Sequence, residues 1–459
     1  MSVDASGERL WTSQRWPVVA GSLALMTFIA IESFAVTTIL PAVAADLGGL
    51  RWYSFAYAAT ITAALIGMIT GGAWADRAGI TTPLTWGGGL FLAGIALCVV
   101  APGMPAFLAG RFLQGLGGGI VSVLVYVIIA RNVPAPLRAR MFGLLATAWL
   151  VPSIAGPLVA GAVAEIWNWR IVFAAVLAGS TAALVALIAA TRQPSGEGSP
   201  TSGSDPSRWP VFGRRGWYAV AAAGCLVGLH LGGQQPWPSN AVALAAFAGI
   251  LLLIARALLP RGTLRTRPGI PGLVALRGLL GAAVAATDVY LPLYLQNERG
   301  YTPSRAGLVI AIGALGWALG AWAQGRAAAS TDDRRSVLRA TLLVLCGPVG
   351  ALAFMAGASI AVTVIGCVLM GTGMGMAYPR ITAAVMARSA PDSQGNDSSA
   401  LQASESMSTS TTLALSGVIL TGITGLGSYV AVYTIAAVLI IGAVAVGRRA
   451  LDPSIPTRA

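Results

Sequence analysis

Lysine is absent from this 459-residue chain, and histidine occurs once, at His230. All 29 basic side chains are therefore arginines, which hold their protons throughout the physiological range. Reversible proton chemistry falls on the 16 acids, the single histidine, cysteine and tyrosine. Charge of either sign is scarce, at 10% of residues against roughly 25% in soluble domains. With 56% hydrophobic residues and a mean hydropathy of +0.76, this excludes a water-soluble globule and a disordered chain. The net charge of +13 would suit nucleic acid, but no soluble domain is available to display it. In a membrane protein a basic excess belongs to cytoplasmic loops. The four cysteines, Cys98, Cys225, Cys346 and Cys367, each stand alone in an apolar run without C-x-x-C spacing. They read as small buried hydrophobes, with no disulfide framework, metal site or cofactor expected.

A spanning helix needs about 20 mostly apolar residues. Fourteen such runs are present, near 17–40, 53–74, 83–101, 104–130, 141–163, 169–190, 216–233, 240–259, 271–296, 304–324, 337–356, 358–379, 398–425 and 428–447. The expected fold class is an all-α integral membrane protein with a six, two, six layout. Residues 1–190 form an N-terminal six-helix bundle and 191–215 a Ser-, Gly- and Pro-rich linker. Residues 216–260 form two extra spans and 261–459 a C-terminal six-helix bundle. With the N-terminus inside, 23 of the 29 arginines fall in cytoplasmic segments and their span ends, and four (Arg51, Arg170, Arg299, Arg305) on the outer side. Dropping one span would invert every later loop and destroy this bias. Leu40-Pro41 and Leu291-Pro292 close the first and ninth spans alike, a faint internal repeat of the kind seen in secondary transporters.

Several stretches resemble the major facilitator superfamily, and most closely its fourteen-span branch of drug–proton antiporters. Gly72-Ala-Trp-Ala-Asp76-Arg77-Ala-Gly79 is similar to the cytoplasmic G-x-x-x-D-R-x-G-R-R signature, with Ile80 and Thr81 in place of the two basic residues. Arg111-Phe-Leu-Gln114-Gly115-Leu-Gly117 is similar to R-x-x-Q-G-x-G in the fourth span. Gly143, Gly156-Pro157 and Gly161 resemble the antiporter signature of the fifth span, where Pro152 and Ala160 replace two glycines. Trp167-Asn-Trp169-Arg170, the glycine run from Met370 to Gly375, and Leu291-Pro292-Leu-Tyr294-Leu-Gln296 also resemble that branch. The resemblance implies a major facilitator fold, a monomer without cofactors, and export of small molecules in exchange for protons. Physically, the small residues permit close helix packing, including a G-x-x-x-G at Gly115 and Gly119.

Three acids lie well inside spans: Glu32, Asp288 and Glu405. A carboxylate in hydrocarbon is unfavourable unless paired, so such a group takes up and releases protons, the chemistry of proton coupling. Glu32, nine residues before Pro41, resembles the first-span acid of the antiporters. Ser398, Gln402, Glu405, Thr409, Thr412 and Ser416 follow steps of four and three along one helical face. That face reads as a cavity wall, or as Ser and Thr packing on neighbouring helices. Gln114, Gln402, Thr409, Thr412 and Tyr294 are the candidate substrate contacts, and Glu32, Glu405, Asp288 and Arg111 the candidate coupling groups. Arg111 needs a partner or a wet cavity, or else it snorkels to the outer interface. Arg277 lies eleven residues before Asp288, on the same face but about 16 Å away, so Asp288 needs another partner or a proton. His230 sits in an extra span and reads as an incidental polar residue.

The reading is a proton-driven exporter of lipophilic cationic or neutral molecules, of the multidrug-efflux type, in a bacterial inner membrane. An exporter of a lipid or endogenous metabolite is the alternative within the fold, and a transport-inactive receptor the alternative outside it. A membrane enzyme is not expected, since no histidine or paired acids stand at a membrane face. The topology is testable with reporter fusions. Both termini, the 191–215 linker and the 261–268 segment are expected on the cytoplasmic side, and a linker facing away from the N-terminus overturns the count.

Overall fold

The computed structural model describes residues 11–12, 15–192, 213–326, 333–390 and 394–451; residues 193–212 of the expected linker lie outside this set. Fourteen α-helices follow in order: α1 (Trp16–Asp46), α2 (Tyr53–Ala78), α3 (Thr81–Val100), α4 (Met104–Asn132), α5 (Ala135–Ile166), α6 (Trp169–Arg192), α7 (Arg214–Gly233), α8 (Ser239–Leu258), α9 (Ile270–Asn297), α10 (Pro303–Arg326), α11 (Asp333–Met355), α12 (Ile360–Met386), α13 (Gln394–Gly422) and α14 (Leu426–Ala450). Each overlaps one expected span. Thirteen are long and apolar enough to cross a membrane among the described residues. The exception is α13, whose Ser, Thr, Gln and Glu stripe lowers its hydropathy below that of its neighbours.

The chain forms two compact units. The first comprises residues up to Val36 and Ala59–Ala219, and the second Thr37–Ala58 with Val220–Ala459. The boundaries fall inside helices, so α1, α2 and α7 each run from one unit into the other. The C-terminal end of α1, the N-terminal end of α2, and most of the extra pair α7 and α8 fall with the second unit.

Both units use glycine to bring helix backbones together. In the first, a Cβ on Gly115 or Gly119 of α4 would collide with the carbonyl oxygens of Thr60 and Ala64 on α2. The G-x-x-x-G spacing thus marks a backbone-to-backbone seam. In the second, Gly371 and Gly375 of α12 meet the carbonyls of Gly313 and Trp317 on α10 in the same way. Gly156 is different, since a Cβ there would meet Phe34 and Ile31 of α1 at ordinary contact distances of 3.4 and 3.6 Å. Its neighbours Pro152 and Pro157 are buried within an α5 that stays helical through both, and Gly161 is buried too.

Local signals place the ends. Gly79, at φ +72°, turns the chain between α2 and α3, as the loop motif requires. Gly72 faces Val123 of α4 at 3.6 Å and Arg77 is half-buried, while the side chain of Asp76 and the surroundings of Gly143 lie outside the described residues. Asn168 Oδ1 accepts from the Arg170 backbone N–H at 2.8 Å at the start of α6, and Ser359 Oγ accepts from Ala361 N–H at the start of α12. Of the four cysteines, all unbridged, Cys346 alone is not fully buried.

Gly115→Ala is expected to destabilise the protein by about 2 kcal/mol through overpacking, while Gly156→Ala stays within about 0.5 kcal/mol of the parent. Thermal unfolding of the detergent-solubilised variants measures this order, and equal loss at both sites contradicts it. The bulkier Gly156→Leu, which must push Phe34 aside, is expected to impair transport without blocking insertion.

Candidate functional site

Each unit encloses an acid–arginine pair. In the first, α1 supplies Glu32 while α4 supplies Arg111 and, one turn on, Gln114. Arg111 Nη1 donates to Glu32 Oε1 and, at 2.8 Å, to Gln114 Oε1. The three residues are 3%, 2% and 0% exposed, so Arg111 is held inside by its counter-charge and does not snorkel. The Gln114 amide nitrogen is sealed from solvent with no partner among the described residues. Trp149 of α5 packs edge-on against Phe34, two residues from Glu32.

The second unit pairs residues 128 positions apart. Arg277 Nε on α9 donates to Glu405 Oε2 on α13 at 2.8 Å. Tyr378 of α12 donates its hydroxyl to Glu405 Oε1 at 2.8 Å, and the Arg277 guanidinium lies 3.5 Å from the centroid of the same ring. Thr382 Oγ1 accepts a longer bond from Arg277 at 3.4 Å. Gly281, one turn after Arg277, leaves the space that the Glu405 side chain occupies, since a Cβ there would press on Glu405 Cγ and the Tyr378 hydroxyl. Arginine and glycine on one face of α9 therefore bring α13 close and hold its acid. This pair is more open than the first, with side chains 14% and 26% exposed.

Asp288 stands apart from both. Its helix neighbour Arg277 is committed to Glu405, and no hydrogen bond or ion pair reaches the Asp288 carboxyl among the described residues. The α13 stripe divides. Thr409, Thr412 and Ser416 are buried, Ser398 and Glu405 are half-buried, and Gln402 is exposed. Tyr294 is packed inside an aromatic group with Phe354 and Tyr429, where its hydroxyl accepts from Arg299 Nε at 2.8 Å. His230 is buried, stacked on Phe55 of α2 at 4.8 Å between centroids, and bonded to the Ser410 backbone of α13. It ties the extra helix α7 to the second unit. Tyr378 was not a sequence candidate; it lies three residues past the α12 glycine run with nothing to mark it as a partner of Glu405. Contacts between the ends of α1, α2 and α9 also join this unit: Tyr53 donates to the Val289 carbonyl at 2.6 Å, and Gln296 Nε2 to the Thr38 carbonyl at 3.0 Å.

Among the described residues, long apolar helices enclose two acid–arginine pairs and one acid, Asp288, with no cation beside it, a pattern of polytopic membrane proteins. The Major Facilitator Superfamily profile matches residues 22–412, and the chain belongs to that superfamily. It is thus a multi-pass membrane protein and a secondary transporter of small molecules, not an enzyme. It is 26% identical to a probable multidrug-efflux transporter of Mycobacterium tuberculosis over 382 residues, covering 80% of this chain and 79% of that protein. It is 26% identical to a methylenomycin A resistance protein of Streptomyces coelicolor over 405 residues, covering 85% and 82%. The fold matches an auto-inhibited POT family peptide transporter with a TM-score of 0.67 at 15% identity, over 96% of this chain and 99% of the other. It also matches the human organic anion transporter MFSD10 with a TM-score of 0.65 at 15% identity, over 95% and 100%.

Removing one member of a buried pair strands the other charge. Glu32→Gln is expected to cost about 3 kcal/mol, and the Glu32→Gln, Arg111→Gln double variant to regain most of it. Arg277→Gln, in the more open pair, is expected to cost about 1 kcal/mol. Denaturation of the purified variants reads the order; a Glu32→Gln protein as stable as the parent rules out the pair as a structural tie.

Proposed function

We propose that the chain is a proton-driven exporter of lipophilic cationic or neutral small molecules, of the fourteen-span drug–proton antiporter type. The observation that carries the reading is the pairing of intramembrane carboxylates with arginines, Glu32 with Arg111 and Glu405 with Arg277. Protonation of either acid removes the charge that holds its arginine. The released guanidinium then needs a new acceptor, and that need couples a proton to a rearrangement of side chains. A cationic substrate competes with protons for the same carboxylates. Alternating access releases the proton to the cytoplasm as substrate binds and reloads it from outside. The names of the mycobacterial and streptomycete relatives support export, and the arginine bias supports cytoplasmic termini in a bacterial plasma membrane.

Reconstitution into vesicles with an imposed pH gradient and a panel of dyes, drugs and lipids tests the function. Lipophilic cations are expected to be concentrated against their gradient; transport confined to lipids or a metabolite would replace the drug reading with the alternative export reading. Glu32→Gln and Glu405→Gln are each expected to reduce gradient-driven transport, with at least one abolishing it and removing the pH dependence of substrate binding. Asp288→Asn is expected to have a smaller effect. A double Glu32→Gln, Glu405→Gln protein that still concentrates substrate moves the coupling elsewhere, with Asp288 and His230 the next groups to test.

A further inference from the structure

The connection between α8 and α9 is short and tightly built. Residues 263–265 form a single 3-10 turn, entered through Gly262 at φ +100° and left through Thr266 at φ +48°, both left-handed. Thr263 Oγ1 donates to the Pro260 carbonyl at 2.8 Å, and the Arg265 and Arg267 N–H groups donate to the Gly262 carbonyl at 3.0 and 3.1 Å. Gly269 N–H reaches the Ala450 carbonyl at 3.3 Å and anchors the segment to the end of α14. The result is a concavity of about 420 Å³ lined by residues 255, 256, 259–265 and 267, with Arg256, Arg261, Arg265 and Arg267 among them and no acid. None of the four guanidiniums has a hydrogen-bonding or ionic partner among the described residues. Arg448 and Arg449 add exposed charge in the last turn of α14.

Four unpartnered like charges around one hollow repel one another, and an anion removes that repulsion. Guanidinium forks match phosphate oxygens well. Beside the hollow, α8 is the least buried of the candidate spans, and Leu252 and Leu253, a turn before Arg256, are 53% and 61% exposed. In a spanning helix that apolar surface faces acyl chains. Free phosphate would use the arginines and leave the leucine surface unaccounted for; a phospholipid uses both. We propose that the α8–α9 connection binds the head-group phosphate of an anionic phospholipid whose chains lie along α8. The bound lipid braces the extra helix pair against α9 and α14. The proposal rests on α8 spanning the membrane and is independent of the substrate and direction of transport.

The test is phosphatidylglycerol binding to the full-length purified protein, followed by native mass spectrometry and titration in phosphatidylcholine nanodiscs. The parent is expected to retain phosphatidylglycerol over phosphatidylcholine, with a preference that falls as salt rises. Arg265→Gln is expected to weaken phosphatidylglycerol binding about fivefold, and Arg261→Gln, Arg265→Gln, Arg267→Gln together about a hundredfold. The corresponding triple lysine variant retains most of the binding, and Arg51→Gln with Arg305→Gln leaves it unchanged. Should the triple glutamine variant not purify as a monodisperse protein, the single Arg265→Gln variant decides. Unchanged affinity in the glutamine variants overturns the proposal. So does displacement of phosphatidylglycerol by inorganic phosphate or glycerol 3-phosphate at equal concentration, which would make the hollow a soluble-anion site.

Discussion

A charge inside a spanning bundle must meet a counter-charge, take up or release a proton, or reach water. The interior of this protein is arranged around that constraint. Arg111 and Glu32 satisfy each other in full burial, with Gln114 taking a further guanidinium hydrogen. Arg277 and Glu405 do so with help from the Tyr378 hydroxyl and ring. These bonds require helix axes to approach closely, and for the second pair the glycines of α9 supply the approach, with Gly278 against Ser404 of α13. Gly281 stands one turn from Arg277 where the Glu405 side chain needs room. Packing and electrostatics are therefore one problem here, because a wider helix spacing would leave the charges unpaired. Asp288 is the buried acid to which no cation comes among the described residues.

The two halves solve the same problem with different residues. The α2–α4 and α10–α12 seams repeat one device, a small-residue face against neighbouring carbonyls. The Leu-Pro step near the outer ends of α1 and α9 repeats too. The charged pairs do not. In the first half the acid is on α1 and the arginine on α4; in the second the arginine is on α9 and the acid on α13. The backbone seams are served by any small residue, whereas a charged pair needs both partners in place.

The composition and the run lengths were enough to establish a membrane protein of fourteen helices, because hydrocarbon thickness sets the length of an apolar run and satisfied backbone leaves helix as its form. The helix seen at Tyr53–Ala78 begins at the residue where the expected span begins, and the G-x-x-x-G of Gly115 and Gly119 announced a seam that the structure places on Thr60 and Ala64. Glu32, Arg111 and Glu405 were each visible as polar residues in the wrong solvent. Which residues pair with which was not. Helical periodicity assigns residues to a face of their own helix and says nothing about which helix lies opposite. In water the apolar face of a helix marks its buried side, but in lipid both sides are apolar and the cue is lost. Spacing placed Arg277 and Asp288 on one face of α9, too far apart to bond, and left the partner of Arg277 open; the fold gave it Glu405, 128 residues away. The same loss of cue set His230 aside as incidental, though it is packed between α2 and α13. The arginines of the α8–α9 connection were legible as loop charge, but only the left-handed turns at Gly262 and Thr266 gathered them around one hollow. Chain chemistry determined which groups need partners; tertiary packing decided which partners they have, because that choice is made by the neighbouring helices and not by the segment itself.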